Sequence, residues 1–272
     1  MANMSCFPDF LVGIRLAQRA RYLFLTGCSV SVLALAVLLA AEFSARQPAT
    51  VAMDVGLSVM RLLLPLVLVL MVQELLSREF DRRYFLSSLT YPRARKNLLI
   101  GRLLAVVVLV VGLLVAMALV LALLVEGVAQ GYAQGTPVSL DYRYLITVGF
   151  VGADLLVLTA LACLLAVVAS TPSFVLIGTF GFMLVARSFA AIIALLGRDS
   201  WLVDNAQGYR SSLGVLGYLL PDLGALDVRM VALYGQMQFL PADWPGLLLS
   251  CLMYAVVLVA IAIWALQRKR FS

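Results

Sequence analysis

Three ionisable residues, Arg61, Asp154 and Arg187, lie inside the most apolar parts of the chain. A charge at the centre of a bilayer costs roughly 3 kcal/mol or more, so each is expected to have a partner. Asp154 precedes Thr171 by seventeen residues and Arg187 follows it by sixteen, which places both at one height in an antiparallel hairpin. Arg61 should lie at a similar level. The spacing predicts either a structural Asp154–Arg187 ion pair or a polar lining that meets substrate headgroups or relays protons.

Other chemistry is poorly supported by the residue types. The chain has no histidine, which removes the commonest metal ligand and general base. Its only lysines are Lys96 and Lys269, and no G-x-x-x-x-G-K-[ST] motif is present, so we predict no nucleotide site. No C-x-x-C pair occurs. We therefore predict no catalytic residues, no metal site and no cofactor in this chain.

The composition places these residues in a membrane protein. Of 272 residues, 64% are hydrophobic and 12% charged, and the mean hydropathy is +1.05, too apolar for a globule with a wettable surface. The pI near 9.4 comes from basic residues beside apolar spans, which membrane topology explains better than nucleic-acid binding. We predict a single all-α transmembrane domain over 1–272, embedded in lipid and without a nucleic-acid partner.

Six windows are long enough to span a bilayer, which takes roughly 20 mostly apolar residues. Thirteen Lys/Arg residues fall on one side of the resulting topology and five on the other, which predicts that both termini are cytoplasmic. We assign the chain to a bacterial cytoplasmic membrane. The predicted spans are about 22–43, 51–75, 103–126, 144–169, 173–196 and 246–266.

Two segments outside the spans have helical patterns. FPDFLVGIRLAQRARYLF, which begins at Phe7, mixes apolar residues with Arg15, Arg19 and Arg21 and predicts an interfacial helix; the alternative is an ordinary basic flank. The longest external loop, 197–245, holds short apolar runs broken by Gly and Pro. It predicts one or two short helices that dip into the outer leaflet or cap a pathway, with a flexible loop as the alternative.

A charged, amphipathic insert separates the second and third spans. Seven of the twenty Lys/Arg residues fall between Glu79 and Arg102 or one residue before. Helical spacing gathers apolar side chains into one stripe, which Pro92 ends. An exposed stripe is a liability in a plain loop, so the pattern favours a docking surface for a cytoplasmic partner; the alternative is a helix lying on the membrane. The stripe consists of Phe80, Tyr84, Phe85 and Leu89.

The insert resembles the signature of type-2 ATP-binding-cassette (ABC) exporter permeases. That family has an acidic pair, Gly-Thr, a leucine-rich stretch, Pro, a Ser-Arg step and Gly-Lys entering the third helix. This chain departs from it with Arg83-Tyr84 for Gly-Thr, Ala94 for Ser and Arg102 for Lys. The matching positions cover about a tenth of the chain: Glu79, Asp81, Leu86 to Leu89, Pro92, Arg95, Gly101 and Arg102.

The resemblance implies that the translocation path and the ATP-binding site belong to different subunits. Two permease copies, identical or different, would form the translocation path, and a separate cytoplasmic ABC ATPase would bind ATP and Mg²⁺. The insert would be the coupling helix. The permease itself would then be a transport subunit and not an enzyme. Two other functions stay open: a gradient-driven carrier with Asp154 as its coupling acid, and a non-transporting membrane anchor or assembly factor.

Overall fold

The computed structural model describes residues 7–44, 46–77, 95–131, 138, 140–169, 171–198 and 221–268. These residues are 87% helical, and no β-strand occurs among them. The all-α class predicted from composition is therefore confirmed. Eight α-helices lie in the described ranges: α1 Phe7–Arg19, α2 Tyr22–Glu42, α3 Pro48–Val72, α4 Arg95–Gln130, α5 Tyr142–Val168, α6 Pro172–Arg198, α7 Arg229–Tyr234 and α8 Trp244–Arg268.

Five of these helices, α2, α3, α4, α5 and α8, are long and apolar enough to cross a membrane. This confirms a multi-pass helical membrane protein. The apolar stretch Pro172–Ser188 of α6 is shorter than the five, so six crossings remain a prediction. Helices α3 and α4 start earlier than the predicted spans because Pro48 is well suited to a first helical position and Arg95–Arg102 is helix-compatible though polar.

The core lies around α3 and α5, which are the most buried of the five spans. Helix α8 packs chiefly against α5, and α2 packs against α3 and α4. Helices α2 and α8 leave most of their apolar surface exposed. Such a surface fits contact with lipid, the solvent in which unpaired apolar side chains carry no penalty.

Helix α1 packs along the start of α4 and is separated from α2 by a tight break. Arg21 adopts a left-handed backbone with φ of 61°. Gly13 makes the closest contact, because a Cβ there would lie 2.7 Å from the Cβ of Ala105. Arg102 is buried beside it. A helix is present at Phe7–Arg19, and the predicted interfacial helix stays a prediction.

The chain before α8 contains two short helical elements, and their predicted location on the outer side of a membrane stays a prediction. Helix α7 is followed by a single 3₁₀ turn, Met237–Phe239. Helix α7 packs against α5 and α3, with Val231, Ala232 and Leu233 buried. This part of the loop is therefore folded onto the helical bundle. Residues 199–220 of the same loop lie outside the described ranges.

Candidate functional site

Six charged side chains gather where α3, α5 and α6 meet the segment that contains α7. We call them the charged cluster. Three are acidic and three are basic, so their formal charges cancel. Helix α3 supplies two, α5 and α6 one each, and the chain at the start of α7 two. The charged cluster consists of Asp54, Arg61, Asp154, Arg187, Asp227 and Arg229.

Asp154 is the innermost acid, with only 1% of its side chain exposed. Its Oδ2 accepts a hydrogen bond from Arg187 Nη2, and Arg61 Nη2 lies 4.0 Å from the same oxygen. The hairpin spacing predicted the Asp154–Arg187 contact, and the structure contains it. Asp154 Oδ1 has no hydrogen-bond partner among the described residues. One carboxylate oxygen of Asp154 therefore interacts with two guanidinium groups.

A proline in α3 leaves a backbone carbonyl free, and Arg187 donates a hydrogen bond to it. Pro65 lacks an N–H, so the carbonyl of Arg61, four residues earlier, loses its intrahelical hydrogen bond. In a membrane such a carbonyl must find another donor. Arg187 Nη1 donates to it at 3.2 Å. One guanidinium of α6 therefore binds both the acid of α5 and the freed backbone of α3.

Three further members of the charged cluster, Asp54, Asp227 and Arg229, were missed by the sequence analysis. Asp227 Oδ2 lies 2.7 Å from Arg61 Nη1 and 3.0 Å from Arg229 Nη2. Arg229 Nη1 also contacts Asp54 Oδ1 at 3.0 Å and Ser58 Oγ at 2.8 Å. One signal was present: Asp54, Ser58 and Arg61 are spaced i, i+4 and i+7, which places them on one face of a helix.

The loop before α7 packs against the interior turns of α3 and α6 that contain Arg61 and Arg187. Arg61 Nη2 donates to the carbonyl of Leu223 at 3.4 Å. Gly224 passes so close to α6 that a Cβ there would lie 2.6 Å from the carbonyl oxygen of Arg187. The Leu223 and Leu226 side chains are buried. Backbone contact and apolar burial together hold this loop over the charged cluster.

A cavity of about 270 Å³ remains between the loop and the helices. Its volume is several times the roughly 30 Å³ that one water molecule occupies in the liquid. Among the described residues no group of three or more His, Cys, Asp or Glu could hold a metal ion. The charged and hydroxyl side chains of its wall offer charge recognition and hydrogen bonding. Its walls are Leu57, Ser58, Arg61, Arg187, Gly224, Asp227 and Arg229.

The opposite end of α3 has a different polar feature. The helix passes into a π-helical turn, Gln73–Ser77, a form often found at functional sites. This turn packs against α1, α4, α5 and α6. Gln73 Nε2 donates to the carbonyl of Pro172 at 2.7 Å and so ties α3 to the start of α6. The turn is thus a junction of the bundle, immediately before the insert.

Most of the predicted docking residues fall on 78–94, outside the described residues. Of that set, Arg95 opens α4. The structure thus brings together Arg61, Asp154 and Arg187, and it describes both flanks of the insert. The predicted docking residues outside the described ranges are Glu79, Phe80, Asp81, Tyr84, Phe85, Leu89 and Pro92.

No family model matches the chain, and no curated protein matches it.

The link between Pro65 and Arg187 predicts energetic coupling between them. Pro65→Ala restores an N–H for the Arg61 carbonyl, so Arg187→Met should destabilise a Pro65→Ala protein less than the wild type, by about 1 kcal/mol. Thermal unfolding of the four proteins of this cycle in detergent measures the coupling. Arg229→Met in the same cycle is the control, because Arg229 does not contact that carbonyl. Equal losses from Arg187→Met in both backgrounds would contradict the prediction.

Proposed function

We propose that this chain is the membrane-spanning permease subunit of an ATP-driven ABC exporter in a bacterial cytoplasmic membrane. Two permease subunits, identical or different, form the translocation path, and a separate cytoplasmic ATPase binds ATP and Mg²⁺. The insert between α3 and α4 is the surface on which that ATPase rests. Both termini lie in the cytoplasm. The substrate is a molecule that leaves the cell through the paired permeases.

The amphipathic insert is the observation that carries this proposal. It joins a stripe of Phe, Tyr and Leu to a dense basic cluster at one end of two membrane helices. A loop that only reverses the chain needs a turn and some positive charge. An apolar stripe on a cytoplasmic helix is instead suited to the groove of a soluble partner. The absence of a P-loop from the sequence requires the ATPase to be another chain.

The packing of both flanks of the insert supports a role in transmitting motion from the ATPase to the membrane helices. The π-helical turn Gln73–Ser77 contacts four other helices, so a displacement of the insert would reach most of the bundle through this junction. On the other flank, Arg102 of the signature is buried beside Gly13 of α1. Motion of the insert would therefore also reach the N-terminal helix. Rigid helices packed in this way transmit small displacements well.

ATP hydrolysis by the assembled complex tests the proposal. The chain is purified together with candidate ABC ATPases from the same genome, and any complex that forms is reconstituted in lipid vesicles. Phe85→Asp places a charge in the apolar stripe, so we expect the permease-dependent part of the hydrolysis to fall at least tenfold because docking is lost. Phe43→Asp is the matched control: Phe43 is 87% exposed at the end of α2, and on the predicted topology it faces away from the ATPase.

The result separates the proposal from its rivals. Unchanged hydrolysis in Phe85→Asp, or no binding of any ATPase by the wild type, would refute the exporter. A gradient-driven carrier is the second candidate, because Asp154 is a buried acid of a membrane helix whose Oδ1 has no hydrogen-bond partner among the described residues. Solute movement driven by a proton gradient without nucleotide, and lost in Asp154→Asn, would favour that carrier.

A further inference from the structure

We propose that the cavity of the charged cluster binds a phosphate group, and that the Asp227 carboxylate occupies the place which the phosphate takes. The phosphate is either free or part of a lipid headgroup. This assignment goes beyond the proposed function and does not depend on it, because it requires neither nucleotide nor a partner subunit.

The charge of the cavity wall favours an anion. Three guanidinium groups, those of Arg61, Arg187 and Arg229, line it, against the single carboxylate of Asp227. The other two acids of the charged cluster, Asp54 and Asp154, bind these arginines from outside the wall. The charged cluster is therefore neutral as a whole, but it presents positive charge to whatever enters the cavity. Low-dielectric walls strengthen that field.

The donors are suited to phosphate. Arginine presents a planar fork of N–H groups that matches phosphate oxygens, and it is preferred wherever such oxyanions are recognised. Ser58 adds a hydroxyl to the same wall. The Asp227 carboxylate contacts two of the three guanidinium groups, both through Oδ2, whereas inorganic phosphate or a phosphomonoester has at least three terminal oxygens.

Asp227 has the features of a resident anion that can be displaced. Its Oδ2 bridges Arg61 and Arg229, which is the contact a ligand oxygen would make. The residue precedes α7 in an irregular segment, and its side chain is 26% exposed, against 1% for Asp154. Release of Asp227 would leave Arg61 beside Asp154 and Arg229 beside Asp54. Each of these two arginines would therefore keep one acidic partner.

Displacement of Asp227 also links occupancy of the cavity to the loop above it. The loop is held by the Arg61–Leu223 contact and by Gly224 against α6 as well as by Asp227. Binding of phosphate would remove one of these attachments and leave the others. The affinity for phosphate is therefore reduced by the cost of releasing Asp227, because the two anions compete for the same donors.

Titration of the purified protein in detergent tests the proposal, with inorganic phosphate and short-chain phosphatidic acid as separate probes and diacylglycerol as the phosphate-free control. Asp227→Asn should bind phosphate about tenfold more tightly, since the competing charge is gone while the shape is kept. Arg229→Gln should bind about tenfold more weakly. Asp227→Glu restores the competitor and should bind like the wild type. Asp243→Asn, an acid outside the cavity wall, is the matched control.

The two probes distinguish the source of the phosphate. Binding of phosphatidic acid well above that of inorganic phosphate indicates a lipid headgroup, and the reverse indicates a soluble ligand. Failure of both probes to bind, or equal binding by Asp227→Asn, Arg229→Gln and the wild type, would overturn the proposal. Thermal unfolding of each variant without ligand confirms that it is folded; if Asp227→Asn is not, Arg229→Gln alone decides. No ATPase is present in this assay, so its failure leaves the exporter proposal untouched.

Discussion

Replacement of Asp154 by Ala is expected to reduce the free energy of unfolding by about 3 to 5 kcal/mol, the usual cost of removing one partner from a buried ion pair. The loss arises because Arg187 and Arg61 would retain their charges in an apolar bundle without the acid between them. Thermal unfolding in detergent, followed by the yield of monodisperse protein after heating, measures the effect. Few other single substitutions in this chain should destabilise it as much.

Two variants distinguish charge from packing in this result. Asp154→Asn keeps the shape and one acceptor oxygen, so it should be less destabilising than Asp154→Ala. Asp154→Ala combined with Arg187→Met removes both charges of the pair, and the double variant should be more stable than the sum of the single effects predicts. Additive losses would mean that the two residues do not act as a pair. Glu126→Ala, which removes an exposed acid from α4, should change stability by less than about 0.5 kcal/mol.

Gly56→Val is expected to destabilise the protein by about 1 to 3 kcal/mol or more, because the site has no room for a side chain. A Cβ at Gly56 would lie 2.2 Å from Leu121 Cδ1 and 3.1 Å from Val37 Cγ2. The glycine is therefore where α2, α3 and α4 approach most closely along this part of α3. Small residues at such crossings allow close packing of membrane helices. Thermal unfolding in detergent measures the loss.

Gly149→Val is the matched control for Gly56→Val. It introduces the same β-branched residue into a membrane helix, α5, but a Cβ at Gly149 would meet no atom within 4 Å. Its effect should be a small fraction of that at Gly56. Leu121→Ala should restore part of the stability of Gly56→Val, since it removes the atoms that the new side chain strikes. Equal destabilisation by both glycine substitutions would refute a packing origin.

Fold class and membrane location were predictable because they depend on local sequence alone. A bilayer satisfies no backbone hydrogen bonds, so each apolar stretch of about 20 residues must form a helix whatever its neighbours do. Equal spacing from the turn likewise put Asp154 and Arg187 at one height. The amphipathic pattern after Phe7 indicated α1. Each of these inferences uses only the rise and periodicity of a helix.

The composition of the charged cluster was beyond such reasoning. Asp227 and Arg229 are far from α3 in the chain, and they reach Arg61 and Asp54 only because the loop folds back against α3. The same holds for Arg187 and the carbonyl that Pro65 frees, and for Gln73 and Pro172. These contacts depend on which helices are neighbours and how each is rotated. Side-chain packing between segments determines both the neighbours and the rotation of each helix. The hydropathy of a single segment does not predict that packing.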